Sequence, residues 1–98
     1  FTDAVVFGGL EPFLQITEVI EFIDRLRNIH NSNADVVIYT GYTEEEVRST
    51  RFSHEYHQLQ QYQNVIVKFG RYIPNRPSRY DDVLGVTLAS DNQYAKLL

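Results

Sequence analysis

Gly8 and Gly9, followed by Leu10, Glu11 and Pro12, set a stretch of bare backbone beside a carboxylate. Paired glycines let amide N–H groups approach a bound group closely, because no Cβ intervenes and positive φ costs little. Glu11 offers its carboxylate to an amine or hydroxyl, and Pro12 stiffens the backbone that carries it. A turn whose glycines serve geometry alone is the other reading. Thr40-Gly41-Tyr42 has the same polar, glycine-containing character. Further on, Lys68, Arg71, Arg76 and Arg79 gather four of the nine basic residues into one short span. Such a group suits a phosphate or the acidic surface of a partner. A solvated loop balanced by Asp81 and Asp82 is the alternative. His54 and His57 stand three apart rather than the four of the helical zinc motif, so no metal site is read there. No nucleophile elbow, phosphate loop or Gly-x-Gly-x-x-Gly turn occurs, and no catalytic residue is assigned.

The elements that must carry these residues follow from periodicity. Ala4-Val5-Val6-Phe7, with Thr2 and Asp3 before it, reads as a strand buried on both faces and ending at the glycine pair. Ile16, Val19, Ile20, Ile23 and Leu26 recur at helical spacing, with acids toward the start and Arg25 and Arg27 toward the end. Asp35 to Tyr39 is a second strand, so the two glycine turns lie on one sheet edge as a βαβ unit, the usual ligand crevice of an α/β sheet. Thr43 to Glu46 reads as a capping box opening a short helix to about residue 50, and Ser53 as the cap of another reaching Tyr62. Asn64 to Gly70 is a third strand. Pro74, Asn75, Pro77 and Ser78 make residues 71–82 an irregular basic loop. Val83 to Leu88 reads as a short strand, and Ala89 to Tyr94 as a polar turn before a stub. The expectation is a single α/β domain over residues 1–98 with a mostly parallel sheet.

Composition narrows the function. The apolar share of 43% supports a modest core, and the net charge of −4 argues against nucleic-acid binding. Apolar runs fall well short of the ~20 residues that span a bilayer, so a cytoplasmic protein without a membrane role is expected. There is no cysteine and no methionine, hence no disulfide framework or thiolate metal site in the chain as given. A start at Phe1, one step before a strand, reads as a piece of a longer protein.

Val5 to Gln15, Val37 to Tyr42, Val67 to Ile73 and Ser90 to Gln93, taken in that order, resemble small radical S-adenosylmethionine enzymes. The nearest branch resembles the activating enzymes of anaerobic ribonucleotide reductase. The resemblance implies a partial (β/α) barrel in which a Gly-Gly-Glu-Pro turn holds the methionine amine of the cofactor. On that basis Gly8, Gly9, Glu11 and Pro12 receive the cofactor, Thr40, Gly41 and Tyr42 lie close to it, and Lys68, Arg71, Arg76 and Arg79 dock the glycyl-radical partner. It also implies a [4Fe-4S] cluster that reduces the cofactor to a 5′-deoxyadenosyl radical, which takes hydrogen from a reductase glycine. Two departures stand out. Leu10 is inserted between Gly9 and Glu11, and the Cys-x3-Cys-x2-Cys cluster motif is missing. The expectation is therefore the cofactor-side portion of a longer parent, inactive alone, with a sheet edge open to self-association. The other reading is a non-catalytic α/β module that binds a nucleotide or a protein.

Overall fold

In the computed structural model, which describes residues 4–49 and 51–98, the chain alternates strands and helices. Thr2 and Asp3, read as the start of the first strand, and Thr50, read as a helix end, lie outside the described residues. The order is β1 (Val5–Phe7), a 3-10 turn (Pro12–Gln15), α1 (Ile16–Asn28), β2 (Val36–Tyr39), α2 (Glu44–Val47), α3 (Ser53–Leu59), β3 (Val65–Phe69), β4 (Arg79–Asp81), β5 (Val86–Leu88) and β6 (Tyr94–Leu97). The fold is α/β. Its main sheet has the order β1-β2-β3-β6, and β4 and β5 form a separate hairpin. Strands β1, β2 and β3 are parallel, in the register Val5–Val36–Val65, while β6 runs antiparallel to β3.

Alternation along the strands splits the core in two. Val36, Ile38, Val65, Val67 and Phe69 face the helices and pack with Phe13, Ile16, Val19, Ile23, Val47, Tyr56 and Leu59. Val37, Ile66 and Ala95 point the other way and are covered by Leu84 and Leu88 of the hairpin segment. The β-branched runs of β2 and β3 suit this double burial because their stiff side chains fill a pleated surface on both faces. Full burial of each such side chain is worth about 1.5–3 kcal/mol. Asp81 anchors the hairpin. It is buried, its Oδ1 accepting from Ala95 N–H at 2.9 Å and its Oδ2 from Leu84 N–H at 2.8 Å.

Five expectations need correction. β1 is not buried on both faces: it is an edge strand of the main sheet, and Val6 is 55% exposed. The stretch expected to be irregular through residue 82 pairs as β4 from Arg79, opposite Leu88, and the strand expected from Val83 begins only at Val86, after a tight turn. Ser53 does not cap α3; Phe52 holds the N-cap position with no side-chain bond. The stub after the polar turn is β6, which finds its ladder against β3. The capping box at Thr43 does form, with both reciprocal bonds made between Thr43 and Glu46. Among the described residues no helix is long and apolar enough to cross a membrane.

Candidate functional site

The carboxyl ends of β1, β2 and β3 meet at one edge, and Glu11 ties the first two together. Its φ and ψ of −61° and 110° cap the 3-10 turn, and its Oε2 accepts from Phe13 N–H at 3.0 Å. The same oxygen accepts from Thr40 Oγ at 2.8 Å, and Oε1 accepts from Gly41 N–H at 2.8 Å. Thr40 is 2% exposed, and its Oγ also accepts from Tyr42 N–H at 3.1 Å. Backbone bonds carry the lacing onward: Thr40 N–H donates to Lys68 O at 3.0 Å, and Gly70 N–H to Tyr42 O at 2.9 Å. From the β6 side, Gln93 Nε2 donates to Gly70 O at 3.3 Å and Asn92 Nδ2 to Arg71 O at 2.8 Å. One hydrogen-bonded chain thus runs across every strand end of the sheet.

This lacing frames a crevice of about 250 Å³. It is lined by Gly9, Thr40, Gly41 and Gly70, by the aromatic Tyr39 and Tyr72, and by the polar side chains of Lys68, Arg71 and the buried Gln93. Gly9 has φ +82° with nothing near the position of a Cβ, so its backbone is open to a ligand. Lys68 is half-buried with its ammonium 5.4 Å from the centre of the Tyr39 ring, and burial pushes its pKa down. Arg71 lies 5.8 Å over the Tyr42 ring and 3.5 Å from Glu46 Oε1. The Glu46 carboxyl is held below the usual range first by the Thr43 N–H, with desolvation opposing and the Arg71 charge adding to the lowering.

Of the residues expected to hold a cofactor, Gly9, Thr40 and Gly41 line this crevice. Glu11 stands behind it, engaged with protein donors. Gly8 lies against Tyr39, Pro12 is buried in the 3-10 turn, and Tyr42 packs on Phe52 with ring centres 5.2 Å apart. The four basic residues expected to act together have different immediate partners. Lys68 and Arg71 enter the crevice, Arg76 pairs with Asp91, and Arg79 sits on the hairpin. Tyr39, Gly70, Tyr72 and Gln93 were not singled out as site residues from sequence, although a glycine closing the third strand, as at the other two, was a signal for Gly70.

A second depression of about 440 Å³, lined by Glu44, Glu45, Arg48 and Tyr94, lies at α2. There Glu44 Oε1 accepts from Tyr94 Oη at 2.7 Å, and Oε2 accepts from Lys96 Nζ at 2.6 Å and Tyr56 Oη at 3.3 Å. These bonds fasten β6 and α3 to α2. Among the described residues no group of three or more histidine, aspartate or glutamate side chains is placed to hold a metal ion, and the sequence has no cysteine.

Residues 2–93 match a family model described as a 4Fe-4S single cluster domain. No match was found among curated proteins or among solved structures. Iron–sulfur clusters are held by cysteine thiolates, so the residues of this chain do not fit the cluster that the family's description implies.

Proposed function

This chain belongs to the 4Fe-4S single cluster domain family, and we propose that it serves there as the S-adenosylmethionine-binding side of a radical enzyme. The activity in view is generation of a glycyl radical on anaerobic ribonucleotide reductase, with cluster and thiolates supplied from outside these residues. One observation carries the reading: the Glu11 bridge to Thr40 and Gly41 brings the glycine turns of β1 and β2 into a single crevice. Ligands of open α/β sheets bind at such carboxyl strand ends.

The crevice fits the amino-acid end of the cofactor. Gly9 exposes backbone, and Lys68 offers a cation to a carboxylate. When bound, S-adenosylmethionine supplies a sulfonium whose reductive cleavage is the chemistry of such enzymes. The chain's own part is to bind and orient: Glu11 fixes the spacing of the two turns, the Tyr39 and Tyr72 rings cover apolar surface, and Gly41 leaves room between Glu11 and the Arg71 stem. The absence of cysteine favours a second reading, a binding module that uses the same crevice without a cluster.

Titration of the chain with S-adenosylmethionine, followed by calorimetry and by amide shifts, tests the first reading. Saturable binding with shifts centred on Gly9, Thr40 and Gly41 is expected. Binding of a nucleotide there but not of S-adenosylmethionine would favour the module.

A further inference from the structure

We propose that Lys68, assisted by Arg71, is the anion-holding residue of the crevice, recognising an oxyanion of the small ligand rather than a partner's surface. The inference rests on the proposed function for the ligand's identity, where the oxyanion is the amino-acid carboxylate; a phosphate is the other source of the same chemistry.

The placement of Lys68 follows from the β3 register. Val67 and Phe69 enter the helix-side core, so Lys68 shares the opposite face with Ile66. Ile66 lies under the hairpin, and Lys68, next along, emerges at the open end beside Tyr39 and Ala95. No ion pair to Lys68 is found among the described residues; its ammonium lies over the Tyr39 ring. The acids near the crevice are already engaged. Both Glu11 oxygens accept protein donors, and Glu46 holds the Thr43 N–H and Arg71. A partly desolvated cation without a counter-charge is costly, and a ligand anion removes that cost. Arg71 stands across Gly41 from Glu11, its Cγ 3.4 Å from where a Gly41 Cβ would be. Its Glu46 contact is exposed and weak enough to be shared with an incoming anion. Arg76 and Arg79 have no place in this site, which divides the basic set by function.

The test compares S-adenosylmethionine with its decarboxylated analogue on the wild-type chain, Lys68→Gln and Lys68→Arg, with circular dichroism confirming the fold of each. The wild type is expected to prefer the carboxylate form by roughly tenfold, the worth of one charge-assisted hydrogen bond. Lys68→Gln should erase that preference and Lys68→Arg should restore most of it. Equal binding of both compounds by the wild type, or an undiminished preference in Lys68→Gln, overturns the proposal. If S-adenosylmethionine does not bind at all, the proposed function fails separately, and inorganic phosphate and methionine become the probes. Saturable shifts of the Gly9, Gly41 and Gly70 amides that Lys68→Gln abolishes would then sustain the anion site, with the active probe naming its source. No shifts with either probe overturn it.

Discussion

The carboxylate of Glu11 accepts the hydroxyl proton of Thr40 across 2.8 Å, joining two turns that lie on neighbouring strands. This acid works first on its own protein. It satisfies a buried threonine hydroxyl and the half-buried Gly41 amide, and an unmet donor there is expensive. The inserted Leu10, 79% exposed, projects outward while Glu11 turns back toward β2.

Glu11→Ala should lower stability by about 1–3 kcal/mol, because its donors lose their acceptor. Glu11→Gln, which keeps one carbonyl oxygen, should lose less. Urea unfolding gives the magnitudes, and hydrogen exchange at Gly41 should quicken in the alanine variant. An unfolding midpoint that does not move would mean the bridge contributes nothing net.

Glu44 makes stability depend on pH at both ends of the range. The Lys96 ammonium is the largest influence on its carboxyl, opposed by burial and aided by the Tyr94 and Tyr56 hydroxyls, and it holds the pKa below the ordinary 4.5. The resulting stabilisation is fully present above the ordinary value and is lost as pH falls through the lowered one. Tyr56 and Tyr94 are pushed up to about 12, first by burial and then by the Glu44 carboxylate, through its charge and its hydrogen bond. Their contribution is present below 10 and disappears as pH rises toward 12. Glu44→Gln should cost about 1–3 kcal/mol at neutral pH and less at pH 3 and at strongly alkaline pH, lowering the plateau and flattening its fall on both sides. Denaturant melts at acid, neutral and alkaline pH decide this, and parallel profiles for the two proteins would sink it.

Two glycines with positive φ should respond differently to alanine. At Gly70, φ is +102° and a Cβ would lie 3.3 Å from both Nδ2 and the backbone oxygen of Asn92. Gly70→Ala combines strain with a clash and should cost about 1–3 kcal/mol, disturbing the 90–93 turn. At Gly9 the φ of +82° meets open space, so Gly9→Ala should cost about 1–2 kcal/mol from the backbone alone while obstructing the crevice. Thermal melts should rank Gly70→Ala below Gly9→Ala in stability, and the reverse order would refute the packing argument.

Incubation of the chain with ferrous iron and sulfide under anaerobic conditions should leave it without bound cluster, since it has no thiolate to offer. Iron analysis and the visible absorption of the desalted protein provide the measurement. A stoichiometric cluster on this chain alone would contradict the stated misfit.

The α/β order was legible wherever a local pattern decided it. The Val36–Ile38 and Val65–Val67 runs, the spacing of Ile16, Val19 and Ile23, and the Thr43–Glu46 reciprocity each depend on near neighbours. Gly9, Thr40 and Gly41 were legible because strand ends of a parallel sheet converge. What was hidden depends on distant partners. Val6 alternates no differently from a core residue, and its exposure goes with the place of β1 at the edge of the sheet. β6 spans four residues without a strong apolar pattern and exists because β3 offers it an edge. The division of Lys68 and Arg71 from Arg76 likewise depends on Asp91, which no spacing rule connects to Arg76.

The strand order also dictates a history of assembly. Each rung of the main sheet joins residues about 30 apart in the chain: Val5 with Val36, Val36 with Val65, and Ile66 with Leu97. Among the described residues the hairpin of β4 and β5 is the one strand pairing joined by a short turn rather than by a longer connection. Pairings between distant residues close slowly, because loop entropy is lost before contacts compensate it. Without Tyr94–Leu97, β3 would present a bare edge. Tyr94 and Lys96 arrive on that same segment and bond Glu44, so closing the sheet and locking α2 in place are one late event.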